Sequence, residues 1–142
     1  MRLYIVDASV AARFLLFEEL SDRAMLVLRG FLDGSSDLMA PRLLVYEVGN
    51  TLWKAVREGI LGPDEAGKKF HYLLGLKLAS VEFDLEEYGE ILSWSVKNDA
   101  TYYDGSYVIA SKVAKLAKNN LHKPIHKEAS KEISAIHLRD YR

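Results

Sequence analysis

The sequence predicts an α/β protein, a three-layer α/β/α sandwich around a mostly parallel sheet. Three observations lead there. Short apolar runs rich in strand formers alternate with longer segments of helical periodicity along the chain. The first run, Leu3-Tyr4-Ile5-Val6, is continuously apolar, as a strand buried on both faces requires. Gly, Pro, Asp and Ser punctuate the changes of period. The chain has 142 residues, 49% of them hydrophobic, which suits one domain with a sizeable core. Residues 1–142 are therefore read as a single domain, with no repeat, linker or low-complexity stretch.

Each element follows in order. After the first strand, Ala8 to Leu16 reads as a helix, and Ser21 can cap a second one through Phe31. Asp33-Gly34-Ser35-Ser36 is a turn. Leu38-Met39-Ala40 is a short strand that Pro41 should stop. Leu43 to Glu58 is helical, with Val45, Val48, Leu52 and Val56 near one face and Gly59 ending it. Gly62-Pro63-Asp64-Glu65 starts a further helix, with Pro at its first position and acids in its first turn. Leu78 to Phe83 alternates like a strand, and Asp84-x-x-Glu87 resembles a capping box for a helix to Lys97. Gly105 to Asn119 is another helix, and Ile133 to Leu138 a last strand.

Composition narrows the chemistry. Without cysteine there are no disulfides, no thiol catalysis and no Cys-based zinc site. No apolar run approaches the roughly 20 residues that span a bilayer. Asp7 interrupts what would be a signal-peptide core, so a soluble cytoplasmic protein is the expectation. The net charge of −1 says little about partners. Its distribution says more, because residues 111–142 carry eight Lys and Arg against three Asp and Glu. That basic end can meet a phosphate backbone, or simply be a solvated helix face.

In open α/β sheets, ligands bind beyond the carboxyl ends of the strands, so the polar residues placed there matter most. Asp7 directly follows the first strand, Glu47 lies in the early turns of the helix after Pro41, and Asp104 opens the helix at Gly105. Each has a plain structural reading: Asp7 and Asp104 as helix N-caps, Glu47 as a surface glutamate. Together they weigh more, since helix starts gather at one edge of such a sheet. At about 5 Å and an effective dielectric near 20, each carboxylate pair repels by roughly 3 kcal/mol. Such a cluster calls for a cation, and all-oxygen ligands favour Mg²⁺ or Mn²⁺ over zinc. An ion of this kind lowers the pKa of its water and takes charge from a leaving oxygen, which suits phosphodiester hydrolysis.

The segments Ile5-Val6-Asp7-Ala8-Ser9-Val10, Glu47-Val48-Gly49-Asn50-Thr51-Leu52, Thr101-Tyr102-Tyr103-Asp104-Gly105-Ser106-Tyr107 and Ala135-Ile136-His137-Leu138-Arg139-Asp140-Tyr141 resemble a PIN domain. Among PIN domains they look like the VapC-like toxins of type II toxin–antitoxin pairs, in order and over essentially the whole chain. The resemblance implies a PIN-like fold and a metal-dependent endoribonuclease. It also implies a homodimer inhibited by a small antitoxin protein. Asp7, Glu47 and Asp104 match the family's first three metal-binding acids. Ser9 matches the small hydroxyl residue beside the first acid, and Asn50 a polar residue on the glutamate helix.

One departure stands out. The family's fourth acid ends a short strand after the Asp104 helix, and that register here gives Asn120-Leu121-His122. No Asp or Glu occurs between Asp104 and Glu128. His122 can ligate a metal, but imidazole suits Mg²⁺ poorly. His122 and His126 have the spacing of a helical metal pair, but Pro124 between them argues against a regular helix. Glu128 is an alternative fourth ligand. The activity implied is therefore weak, or replaced by the role of a catalytically impaired PIN-fold protein that binds RNA or a partner peptide.

Other residues carry less. Asp99 reads as a turn acid, with a supporting role beside the acids as the alternative. Tyr102, Tyr103 and Tyr107 flank the acids as core residues or as platforms for bases. Trp53 reads as core or dimer contact, and Arg13 as a phosphate contact or a solvated charge. Phe70, Leu73, Leu74 and Trp94 are candidates for a dimer face, with ordinary core as the equal alternative. A phosphatase of the haloacid-dehalogenase type also starts strand–Asp, but it wants a second Asp where Ser9 stands. A receiver domain lacks its paired acids.

Overall fold

Alternation along the first two strands sets the architecture. Leu3 and Ile5 point to one side of the sheet and Tyr4 and Val6 to the other, as a period of two dictates. On the neighbouring strand Met39 joins the first set, while Leu38 and Ala40 join the second. Two apolar cores result, one on each face.

The computed structural model describes residues 2–16, 21–120 and 132–136. The elements are β1 (Arg2–Val6), α1 (Ala8–Arg13), α2 (Ser21–Leu32), β2 (Ser36–Pro41), α3 (Leu43–Arg57), α4 (Pro63–Gly75), β3 (Ala79–Val81), α5 (Leu85–Lys97), α6 (Tyr102–Asn120) and β4 (Glu132–Ile136). The four strands lie in the order β3-β2-β1-β4, and every pairing is parallel. Helices α1 to α4 supply the core on one face, with Val10, Leu28, Leu44, Val48 and Leu73 buried in it. Helices α5 and α6 cover the other through Ile91, Ile109, Ala110 and Val113. The α/β/α sandwich expected from the alternating pattern is thus present. Chain order runs outward from β1 to β3, then jumps to β4 on the far side of β1. That reversal puts a crevice at the carboxyl end of β1.

Several boundaries differ from the sequence reading, each for a local reason. Helix α6 begins at Tyr102, three residues before Gly105, because the Thr101 hydroxyl accepts the Asp104 amide at 3.0 Å and caps the helix there. Asp104 is therefore a first-turn residue and not the cap. The stretch Leu116 to Asn120, poor in strand formers, continues α6. Strand β2 runs through Pro41 instead of stopping before it, since Pro41 is its last residue and pairs with Val81. Strand β3 is only Ala79–Val81, and three residues on Asp84 already caps α5 in a complete capping box with Glu87. Helix α3 ends one residue before the expected Glu58, and Gly59 takes the left-handed conformation (φ 76°) that glycine accepts freely. Helix α1 ends at Arg13, and Phe14, Leu15 and Leu16 continue as a buried turn.

The aromatic and apolar candidates for a dimer face are redistributed. Leu73 is buried, Phe70 packs against the first core, and Trp94 packs against the second. Of the four, Leu74 alone is exposed. Trp53 is exposed as well, with the Arg57 guanidinium 5.3 Å from its ring centroid. Among the described residues, no helix is long and apolar enough to cross a membrane.

Candidate active site

Asp7 stands where β1 ends and α1 begins. Its extended backbone (φ −91°, ψ 170°) is the N-cap conformation, and Oδ1 accepts the Val10 amide at 2.9 Å. The Ser9 hydroxyl donates to the same oxygen at 2.7 Å. Two donors on Oδ1 fix the plane of the carboxylate and leave Oδ2 without a hydrogen bond among the described residues. Arg13, one turn beyond Ser9, donates to the Ser9 carbonyl at 2.8 Å.

Glu47 sits one turn into α3, half-buried, beside Val48, which is fully buried in the first core. Its Oε1 accepts the Tyr107 hydroxyl at 2.7 Å. Tyr107 belongs to α6 and packs against the second core, so this bond joins the two helical layers across the carboxyl edge of the sheet. Burial first, then the bond to Glu47 and the charges of Glu47 and Asp7, push the Tyr107 hydroxyl far above the ordinary phenol range. The Ala8 backbone amide, facing the same oxygen, offsets this in part. Tyr107 therefore remains a donor, and it stands in the fields of both acids.

Asp104 lies in the first turn of α6, one turn before Tyr107 and on the same side of the helix. Gly105 next to it permits the approach of α6 to α5. A Cβ there would run into Ser95 Oγ and come within 3.1 Å of the Ile91 carbonyl. The Asp104 side chain is exposed, and its carboxylate makes no hydrogen bond among the described residues. It is not among the charges that act on Tyr107. Asn50 is exposed and bonds to none of the three acids. Asp99, at φ 51°, turns the chain between α5 and α6. His122, His126 and Glu128 lie outside the described residues, as do His137 to Tyr141.

The structure thus brings Asp7 and Glu47 together around Tyr107 and holds Asp104 one helical turn away. Among the described residues, no group of three His, Cys, Asp or Glu side chains is close enough to hold a metal ion. The donor set still fits a hard divalent cation in kind, being all carboxylate oxygen, with Asp7 Oδ2 and Glu47 Oε2 unengaged among the described residues.

No family model matches the chain. Ribonuclease VapC3 of Pyrobaculum aerophilum is 32% identical over 111 residues, which are 77% of this chain and 82% of that protein. The chain belongs to the VapC family of PIN-domain proteins.

In this VapC-family chain, Tyr107 packs against the second core, one of the two roles its sequence suggests, and its hydroxyl also reaches Glu47, which the sequence did not indicate. The available signal was spacing, because a residue one turn after Asp104 must face the same way as the acid. What the sequence could not supply was the sixty-residue separation across which Tyr107 meets Glu47. Chemically, the VapC-family site offers two oriented carboxylates, a neutral hydroxyl donor between them and a third acid at a helix N-terminus. Ser9 and Val10 hold the first carboxylate and Tyr107 the second.

Proposed function

We propose that this protein is a metal-dependent endoribonuclease that hydrolyses RNA phosphodiesters and is neutralised by a small antitoxin protein. The observation that carries the reading is the convergence of Asp7 and Glu47 on Tyr107 at the carboxyl edge of a parallel sheet, in a chain of the VapC family. Asp7, Glu47 and Asp104 would hold Mg²⁺ or Mn²⁺. When bound, the cation supplies a more acidic water and charge stabilisation at the leaving oxygen. The protein's own part is positional. Ser9 and the Val10 amide fix Asp7, Tyr107 fixes Glu47, and the exposed Asp104 closes the set by a side-chain rotation at the α6 N-terminus. His122 or Glu128 would stand in for the family's fourth acid.

The test is cleavage of single-stranded RNA in Mg²⁺ and in Mn²⁺. Activity should require the cation, stop with EDTA and fall at least a hundredfold in Glu47→Gln. Cleavage that survives EDTA, or is undiminished in Glu47→Gln, rejects the mechanism.

A second reading is a PIN-fold protein that binds RNA or a partner peptide without cleaving. That no three acidic side chains gather closely enough to hold a metal, among the described residues, favours it. Absence of cleavage in either metal by wild type and by His122→Asp, with RNA or a partner peptide still bound, would establish it.

A homodimer would use the exposed apolar side of α5. Leu85, Tyr88, Leu92 and Val96 are 90%, 48%, 56% and 75% exposed and recur at helical spacing on one side. Light scattering should give a dimer that Leu92→Glu converts to a monomer.

A further inference from the structure

We propose that the aromatic cleft formed by the starts of α3, α5 and α6 and the end of β3 binds one nucleobase of the RNA, next to the phosphate held at the acids. The proposal rests on the ribonuclease reading for its substrate class. The cleft has a volume of about 180 Å³. That is below the ~300–1,000 Å³ of sites for drug-sized ligands and fits a single planar ring system. Phe83, Tyr88, Tyr102 and Tyr103 supply its aromatic lining.

Its position ties it to the acids. Leu43, on the cleft wall, is one turn before Glu47 on α3, and Tyr103, on the opposite wall, is one turn before Tyr107 on α6. Residues four apart on a helix are neighbours at about 5–6 Å. The cleft therefore begins one helical turn from the Tyr107–Glu47 bond, and Tyr103 is the chain neighbour of Asp104. A base reaches this far from its own phosphate through the ribose.

The lining divides into fixed and available groups. The Tyr102 hydroxyl donates to the Tyr88 carbonyl at 3.0 Å, and Phe83 meets Tyr88 edge to face with centroids 5.5 Å apart. These contacts build a firm wall. Tyr103 is 57% exposed, and its hydroxyl has no partner among the described residues. Its ring face is free to stack on a base, an interaction open to any base. On the rim, Arg42 pairs with Glu82 at 2.9 Å in an exposed bridge. A phosphate arriving there would compete with the carboxylate for the guanidinium. An aromatic cleft with a cation at its mouth and acids one turn away matches a nucleotide better than an aliphatic side chain.

The experiment uses the full-length protein with Ca²⁺ in place of Mg²⁺ and Mn²⁺, so that a hard cation is present at the acids without the catalytic metal, and fluorescence anisotropy of short single-stranded RNA oligonucleotides. One series is intact, and the others carry an abasic nucleotide at each position in turn. Tyr103→Ala should weaken the intact RNA by roughly tenfold, and Tyr103→Phe should restore it. At one or two abasic positions the Tyr103→Ala penalty should disappear, because the base that stacked is already gone. Equal penalties at every position, or no penalty at all, overturn the subsite. So does conversion of a dimer to a monomer by Tyr103→Ala with RNA affinity unchanged, which would make a second copy the occupant. Cleavage in Mg²⁺ or Mn²⁺ is read separately. A protein that cuts RNA without a Tyr103-dependent position keeps the ribonuclease reading and loses the subsite. One that binds with such a position but never cuts keeps the subsite and loses the ribonuclease reading.

Discussion

The Tyr107 hydroxyl donates to Glu47 Oε1 at 2.7 Å, and the two residues belong to helices on opposite faces of the sheet. The bond is a clasp over the end of β1. It gives Glu47 an orientation that α3 alone does not impose, since the side chain is otherwise half-exposed on the second turn. It also leaves Oε2 without a hydrogen bond among the described residues.

Tyr107→Phe should therefore cost about 1–2 kcal/mol in stability, at the lower end for a bond to a charged acceptor because water can reach Glu47. It should also weaken cation binding, because Glu47 regains its rotamers. Urea denaturation and a Mn²⁺ titration followed by electron paramagnetic resonance check the two separately. Unchanged Mn²⁺ affinity in a folded variant would confine Tyr107 to a structural role.

The same contact gives the protein an alkaline limit. The hydroxyl ionises near 10.0 in an unfolded chain and well above that in the folded one. Below pH 10 both states are protonated and the bond contributes fully. As pH rises beyond 10 the unfolded chain loses its proton first, so stability falls with pH. The loss between pH 9.5 and 11 in urea midpoints should be smaller for Tyr107→Phe than for wild type. Identical slopes would mean that the folded hydroxyl is not raised.

The layers, and the position of Asp7 at the end of β1, were legible in the sequence because both rest on local rules. The apolar run of β1 followed by Asp7, the capping box at Asp84 and the Pro63 helix start each need only a few neighbouring residues. The features the sequence left open depend on distant residues. Leu73 and Trp94 carry the same apolar signal as an exposed face would, and only the packing of α4 and α5 decides which side is covered. Sequence alone starts α6 at Gly105, with Asp104 as its cap. The actual role of Gly105 is contact with Ser95 and Ile91 of α5. The partner of Tyr107 was beyond reach, since nothing near it in the chain points to residue 47.

Gly105→Ala tests that close approach. The added Cβ meets Ser95 Oγ, the Ile91 carbonyl at 3.1 Å and Ile91 Cγ2 at 3.2 Å, so α6 must move or strain by about 1–3 kcal/mol. Ser95 is itself buried, and its hydroxyl donates to the Ile91 and Thr101 carbonyls at 2.7 and 3.1 Å. Removing that oxygen in the double variant with Ser95→Ala should recover part of the loss. A double-mutant cycle in urea measures it, and strict additivity would show that Ser95 is not the obstruction.

Asp7 serves two roles that substitution can separate. As N-cap of α1 it satisfies the Val10 amide, and as a carboxylate it supplies charge at the crevice. Asparagine caps about as well as aspartate, whereas alanine forfeits ~0.5–2 kcal/mol. Asp7→Asn should thus stay within about 0.5 kcal/mol of wild type, while Asp7→Ala falls by about 1 kcal/mol. The charge behaves differently, since both substitutions remove it equally. RNA hydrolysis should drop by roughly 10²–10³-fold in each, the scale of losing one electrostatic contact to a transition state. Melting curves and cleavage rates on the same preparations give the comparison. If activity follows stability, with Asp7→Asn nearly as active as wild type, Asp7 is a helix cap and the charge at the end of β1 has no part in the chemistry. If both variants lose activity while only the alanine loses stability, the carboxylate acts through its charge and the cap is a separate service of the same atoms.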